Sequence, residues 1–128
     1  MQLQMTEEQS LIVSMVRRFV REKIQPLEMN LDPDADKLEE ADEARLKEKT
    51  REMGLYGMGI PPEYGGPELD MVTITLIAIE MSQHRAGLYV PCYGVFGGAG
   101  LAQLFEANDD QKERYLLPTL RGEKSGFF

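Results

Sequence analysis

Residues 54–66 read GLYGMGIPPEYGG, a stretch that interrupts helical structure and separates two groups of predicted helices. Three glycines near its start permit positive φ or a close approach of two backbones, whereas Pro61 and Pro62 fix φ and block a helix. Gly65 and Gly66 permit a tight turn. We therefore expect one defined path here, where a charged helix ends and the chain enters its most apolar part.

Two helices are predicted before this stretch. Thr6 and Gln9 form a capping box that predicts the start of the first helix, and Pro26 predicts its end near Gln25. Strong helix formers across 37–52 predict a second, mostly exposed helix that ends at Gly54. The apolar side chains that recur at helical spacing on the first helix are expected to form its core face: Leu11, Ile12, Met15, Val16, Phe19, Val20 and Ile24.

Two more helices are predicted directly after the stretch. Asp70 is a suitable N-cap, and residues 71–81 are so apolar that we expect this helix to be buried on most sides. Residues 88–91 predict a fourth helix, because a proline such as Pro91 is tolerated in a first turn. This helix carries several interior glycines, each of which costs about 1 kcal/mol relative to alanine.

The last predicted helix begins at a second capping box, formed by Asn108 and Gln111. Pro118 and Gly122 are expected to close it. Residues 125–128 have the pattern of a strand that is just beginning. The predicted fold class is therefore all-α, a bundle of about five helices.

Composition limits the partners and the compartment. A chain of 128 residues with 42% hydrophobic content suits one domain with a core of its own. A net charge of -8 opposes binding to nucleic acid or to an anionic membrane surface. One cysteine, Cys92, fits a reducing compartment, and the sequence lacks a signal peptide pattern or an apolar span. We expect a cytoplasmic protein without a membrane segment.

An acidic turn has part of a calcium-loop pattern. Asp32, Asp34, Asp36 and Glu43 occupy positions 1, 3, 5 and 12 of such a loop. Lys37 stands at the sixth position, where the turn of a calcium loop needs glycine. A solvated acidic turn is therefore preferred to a metal site.

Three further residues carry side chains that could take part in chemistry. His84 is the only histidine, so neither a His/Cys metal cluster nor a Ser/His/Asp triad can be complete, and a polar role at a helix end is preferred. Cys92 lacks a basic neighbour in sequence that would lower its pKa, which favours packing over nucleophilic catalysis. Glu80 is expected to pair with another group rather than to act as a carboxyl group of raised pKa.

The glycine-bearing fourth helix gives the remaining signal. Val90, Gly94 and Gly98 share one face at i, i+4 and i+8. Small residues at this spacing permit another helix to approach closely, or they leave a groove that an apolar ligand fills. Periodicity alone leaves both explanations open.

The order of these segments resembles the N-terminal helical domain of the acyl-CoA dehydrogenase family. The resemblance covers nearly the whole chain. It is carried by TEEQ at 6–9 leading into VRRF at 16–19, by GLYG at 54–57 through PEYGG at 62–66, and by DQKERYLLP at 110–118 followed by GE at 122–123.

The resemblance implies a flavin enzyme that dehydrogenates the α,β-bond of an acyl-CoA thioester. FAD and the glutamate base would be held mainly by a middle β domain and a C-terminal helical bundle, so neither Glu63 nor Glu80 matches that base. It implies an N-terminal helical domain at 1–122, and residues 123–128 as the start of the middle domain. This chain would then contain no catalytic or FAD-binding residue, and it would be inactive alone.

The resemblance also implies one functional surface. The helix that matches residues 90–104 lines the acyl-chain cavity in the family, with Val90 and Gly94 at the floor, Gly98 further along that face and Tyr93 at its edge. Because Gly94 has no side chain, we expect a deep or wide cavity for a long or bulky acyl group. Electron-transfer flavoprotein and a homo-oligomeric state are further implications. An acyl-CoA oxidase or flavin monooxygenase relative, or a stand-alone helical interaction module, is the alternative.

Overall fold

The computed structural model describes residues 4–58, 60–85, 91–97 and 102–124, without the side chains of Tyr93 and Ala102. All regular structure in these ranges is helical, which confirms the predicted all-α class. The α-helices are α1 (Glu7–Phe19), α2 (Gln25–Met29), α3 (Glu40–Glu52), α4 (Met71–Met81), α5 (Asp109–Gln111) and α6 (Leu117–Leu120). Turns of π-helix (Val20–Ile24, Lys112–Leu116) and of 3-10 helix (Pro62–Tyr64, Tyr93–Phe96, Ala102–Glu106) complete the set.

Three predicted N-caps are confirmed. The Thr6 side chain accepts from the Gln9 amide and the Gln9 side chain accepts from the Thr6 amide, which makes a complete capping box at α1. Asn108 and Gln111 form the same reciprocal pair at α5. Asp70 accepts from the Thr73 amide at 2.9 Å at the start of α4. Capping satisfies amides that have no partner inside the helix, and it depends only on neighbours in sequence.

The chain divides into two compact units, Met1–Leu46 with Glu68–Cys92, and Lys47–Pro67 with Tyr93–Phe128. In the first unit α1 packs along α4. Its buried apolar side chains are Val13, Val16, Phe19, Val20, Ile24, Leu38, Leu46, Ile77 and Cys92. The predicted core face of the first helix is therefore correct at two positions of α1, Val16 and Phe19, and at Val20 and Ile24 in the π-helical turn after it. Leu11 is 71% exposed and Met15 39%, while Val13 takes a core position instead.

Pro26 and Pro118 do not end the helical path as predicted, whereas the predicted end at Gly122 is confirmed, since the last helix ends at Leu120 and Gly122 has a φ of 77°. A π-helical turn precedes each proline. The backbone amide of the residue before the proline donates to the carbonyl five residues earlier: Gln25 to Val20, and Leu117 to Lys112. Proline cannot donate to the i−4 carbonyl, and the wider π turn accommodates this missing bond. The helical path therefore continues to Met29 and to Leu120.

The expectation that α4 is buried on most sides is also wrong. Within the described chain Met71 is 75% exposed, Val72 49% and Ile79 53%. Thr73, Ile77 and Glu80 form the buried face instead. An apolar composition therefore did not indicate which sides of this helix are covered.

The second unit has a small apolar core under the stretch 54–66. Ile60 and Leu116 are buried there, and Tyr64, Leu104, Phe105 and Leu120 pack against them. The rings of Tyr64 and Phe105 lie 5.1 Å apart between centroids. This core joins the predicted turn region to the last helical segment.

The predicted fourth helix differs in the part that the structure describes. Tyr93–Phe96 and Ala102–Glu106 are 3-10 turns rather than parts of an α-helix. Gly97 follows the first of them with a φ of 62°, which lies outside the right-handed helical region and ends the helical path. Glycine adopts this conformation at low cost, which explains one of the interior glycines.

An ion pair fastens α1 to α4 in the first unit. The Arg17 guanidinium donates to both carboxylate oxygens of Glu80, at 3.2 Å from Nε and 2.6 Å from Nη2. The Glu80 side chain is only 12% exposed. Hydrogen bonding to Arg17 holds the pKa of Glu80 below its usual value, so the expectation of a paired carboxylate is confirmed.

Glu80→Gln is expected to make the free energy of unfolding depend less on pH in the acidic range. Because the pKa of Glu80 is lowered in the folded chain, the ion pair stabilises the fold above the ordinary carboxyl pKa of 4.5 and stops doing so as pH falls through the lower folded value. We expect a loss of about 1 kcal/mol at neutral pH, since Arg17 is half-exposed and water screens the pair. Urea unfolding of both proteins between pH 7 and pH 3 measures this; a difference that stays constant over the range would contradict it.

No helix in the described ranges is both long enough and apolar enough to cross a bilayer.

Candidate functional site

The site predicted on the fourth helix falls at the turn Tyr93–Phe96, in the second unit. Gly94 is exposed, whereas Val95 and Phe96 are 0% and 5% exposed. The Gly97 amide donates to the Gly94 carbonyl at 3.1 Å and closes the turn. The turn therefore presents the backbone of Gly94 outward and buries the next two side chains.

Two hydrogen bonds hold the buried side of this turn. The Thr50 hydroxyl lies 2.9 Å from the carbonyl oxygens of both Val95 and Lys47, so its one proton is shared between these two acceptors. The Gly57 amide donates to the Phe96 carbonyl at 2.7 Å. Thr50 belongs to the end of α3 and Gly57 to the glycine-rich stretch after it, so these two neighbouring segments hold the turn together.

The ring of Tyr56 supports the turn at its last residue. A Cβ atom placed on Gly97 would lie 2.5 Å from Cζ of Tyr56, so only glycine fits against the ring. The Arg51 guanidinium carbon lies 4.2 Å from the centre of the same ring, a cation–π distance, and Arg51 donates to the Arg121 carbonyl at 3.1 Å. The ring is thereby linked to the segment that ends the last helix.

The four predicted site residues are described to different degrees. Gly94 lies in the exposed part of the turn. The backbone of Tyr93 belongs to the same turn, while Val90 and Gly98 lie outside the described residues. Thr50 and Tyr56 could not be predicted from the sequence, because they contact the turn from positions far away in the chain.

The first unit contains a buried polar cluster that sequence analysis also missed. His84 Nδ1 lies 3.2 Å from Glu28 Oε1, and the Arg85 amide donates to Glu28 Oε2 at 2.7 Å. The side chains of His84 and Glu28 are 10% and 4% exposed. The Arg85 side chain donates to the carbonyls of Asp32 and Pro33. This cluster ties the turn after α4 to the turn after α2, which is a structural role.

Cys92 lies in the interior of the same unit, at 0% exposure. Burial, and then the nearby Glu28 carboxylate, raise the pKa of the Cys92 thiol to about 12. The thiol is therefore protonated at neutral pH and is a poor nucleophile. The preferred packing role is supported by both observations.

The acidic turn provides no evidence for calcium. Asp32 accepts from the Asp34 amide at 2.9 Å, an ordinary turn hydrogen bond. Over the described parts of the chain, no group of three or more acidic, histidine or cysteine side chains is arranged to hold a metal ion.

Comparison with known protein families identifies the family to which this chain belongs. The family model for the acyl-CoA dehydrogenase N-terminal domain matches residues 6–123. The chain belongs to this family. No solved structure gives a significant match.

Several curated relatives share this domain. A 3-(aryl)acrylate reductase of Clostridium sporogenes is 32% identical, over 94% of this chain and 30% of its own length. A probable acyl-CoA dehydrogenase of Bacillus subtilis is 32% identical, over 93% of this chain and 19% of its own. An (R)-benzylsuccinyl-CoA dehydrogenase of Thauera aromatica is 36% identical, over 68% of this chain and 23% of its own. The chain therefore spans less than a third of the length of these relatives.

Proposed function

We propose that this chain is the N-terminal helical domain of an FAD-dependent acyl-CoA dehydrogenase and that it lines the acyl-chain cavity. The observation that carries the proposal is the family match over residues 6–123, together with a held turn that leaves Gly94 open. In this proposal residues 1–122 form the helical domain and 123–128 begin the middle domain. The full-length protein would dehydrogenate the α,β-bond of an acyl-CoA thioester.

Neither of two hollows that are lined by described residues of the first unit suits FAD. One hollow, of about 220 Å³, is lined by Arg17, Arg21, Glu80 and other polar groups, and it is smaller than most ligand pockets. A second, of about 720 Å³, is lined by four carboxylates, those of Asp32, Glu39, Glu40 and Glu43, which would repel the diphosphate of FAD. The proposal therefore assigns FAD and the catalytic base to parts of the full-length protein beyond these residues, and it expects this chain alone to be inactive.

The role left to this chain is to bind and orient the acyl tail and to keep water from it. An apolar tail is bound by removing its surface from water, at about 25 cal/mol per Å². A turn with glycine at position 94 leaves room that a side chain would fill. We therefore propose a long or bulky acyl group, with Val90, Tyr93, Gly94 and Gly98 along its path. Two relatives are named for aryl-bearing and benzyl-bearing molecules, which supports a bulky group.

The remaining assignments follow from the family alone. Electron-transfer flavoprotein as the electron acceptor, a homo-oligomeric state and a cytoplasmic location belong to the proposal for the full-length protein. An acyl-CoA oxidase would share this domain and differ in how oxygen reaches the flavin.

The test is the colour of the purified full-length protein. We expect a yellow protein whose visible flavin absorbance falls when a saturated acyl-CoA is added without oxygen, and which the matching enoyl-CoA does not bleach. A colourless protein, or one that a series of short, long and aryl-bearing acyl-CoA thioesters leaves unbleached, would overturn the dehydrogenase assignment. Fast reoxidation by oxygen after bleaching would support the oxidase instead.

A further inference from the structure

Residues 95–97, which follow Gly94, contact three residues at the end of α3 and in the glycine-rich stretch: Thr50, Tyr56 and Gly57. Thr50 donates to the Val95 carbonyl, and the Gly57 amide donates to the Phe96 carbonyl. The Tyr56 ring stands against Gly97. All these residues belong to one compact unit.

Thr50 is the centre of this arrangement. It is fully buried, and its hydroxyl lies 2.9 Å from both the Lys47 and the Val95 carbonyl oxygens. Its own carbonyl accepts from the amides of Leu55 and Tyr56, at 2.9 and 3.2 Å. A buried carbonyl without a donor costs free energy. The contact with Val95 is buried whereas the contact with Lys47 is only partly buried, so removal of the hydroxyl would loosen Val95 in particular.

The Tyr56 ring provides a second contact with this part of the chain, because it lies against Gly97. Three of its ring atoms, Cζ, Cε1 and Cε2, would lie within 2.8 Å of a Cβ atom on Gly97. The Tyr56 hydroxyl oxygen would lie 3.1 Å from a Cβ atom on Gly122. The ring therefore fills the space between two glycines, and a shorter side chain would leave that space empty.

We propose that Thr50 and Tyr56 are positioning residues that set the depth of the acyl-chain site by fixing the turn that carries Gly94. This inference rests on the proposed function. The contacts hold residues 95–97, and Gly94, which they do not touch, is exposed. The position of its backbone therefore follows from the three contacts on the buried side. Neither Thr50 nor Tyr56 needs to touch the substrate for this effect.

The test uses the full-length protein and Tyr56→Leu, which removes the ring. We expect the ratio of kcat/KM for a long to a short acyl-CoA to change by about tenfold or more, because a displaced wall alters apolar contacts by about one methylene or more. The change should appear in KM for the long substrate, while kcat for the short one stays near wild type. Tyr56→Phe keeps the ring and should restore the wild-type ratio. Tyr115→Leu, which removes an exposed tyrosine of the same unit, is the matched control.

A second pair of variants tests the hydroxyl. Thr50→Val removes the hydroxyl at nearly constant volume and is expected to change the ratio of kcat/KM for long to short acyl-CoA. Thr50→Ser retains the hydroxyl and should keep the wild-type ratio. Thr75→Val is the control, since Thr75 is exposed and, among the described residues, its hydroxyl donates to the Met71 carbonyl of its own helix.

Hydrogen exchange of the Gly57 amide provides a readout that does not depend on activity. This amide donates to Phe96, so we expect faster exchange in Tyr56→Leu and Thr50→Val than in Tyr56→Phe and Thr50→Ser. Unchanged exchange of the Gly57 amide in Tyr56→Leu and Thr50→Val would overturn the inference. A variant that is less stable but keeps the wild-type ratio of kcat/KM for long to short acyl-CoA would also overturn it. Failure of the wild-type protein to be bleached by acyl-CoA would overturn the proposed function instead, and the two failures are therefore distinguishable.

Discussion

Gly66→Ala is expected to destabilise the chain by about 3 kcal/mol or more, a large fraction of the stability of a typical domain. A Cβ atom on Gly66 would lie 1.6 Å from the Ile60 carbonyl oxygen and 2.4 Å from its carbonyl carbon. These are backbone atoms and cannot swing aside like the end of a flexible side chain. Gly66 also donates to the Pro61 carbonyl at 3.2 Å, so a shift would break a turn hydrogen bond.

The neighbouring glycine provides the control for this prediction. Gly65 has a φ of 89° but nothing within 4 Å of an added Cβ, so Gly65→Ala should cost about 1–2 kcal/mol of backbone strain. Urea unfolding of the 128-residue chain measures both losses. Equal losses for the two variants would show that close contact is not the reason for glycine at position 66.

Ile77→Ala is expected to lower the free energy of unfolding by about 2–5 kcal/mol. Ile77 is 0% exposed on the face of α4 that is buried in the first unit. Truncation removes apolar burial and leaves a cavity, because a close-packed interior relaxes only in part.

Ile79, two residues further along the same helix, is the matched control. It is 53% exposed, so Ile79→Ala should change stability by no more than about 0.5 kcal/mol in the 128-residue chain. Thermal or urea unfolding of both variants compares them. A larger loss of stability in Ile79→Ala than in Ile77→Ala would mean that the buried and exposed faces of α4 are wrongly assigned.

Local signals in the sequence predicted local structure well. The caps at Thr6, Asp70 and Asn108 are confirmed because each depends on an amide three residues away. Prolines were misleading because the alternative, a π-helical turn before Pro26 and before Pro118, has no simple sequence signal. The apolar run 71–81 predicted a helix correctly but not its exposed side.

Contacts between distant residues could not be predicted from spacing. The sequence indicated that Glu80 needs a partner, but Arg17 lies 63 residues away. The Glu28–His84 pair spans 56 residues, and the bond from Thr50 to Val95 spans 45. Each of these depends on how segments pack, so the supports of the candidate turn became visible only in the structure.

The chain-length preference of Gly94→Leu in the full-length protein tests whether the turn at Gly94 lines the acyl-chain cavity. A leucine at the exposed centre of the turn should fill the proposed cavity, so we expect kcat/KM for long acyl-CoA thioesters to fall by about tenfold or more relative to short ones. Gly94→Ala should give a smaller change in the same direction. An unchanged ratio of long to short substrates in Gly94→Leu would contradict the claim that this turn lines the acyl-chain cavity.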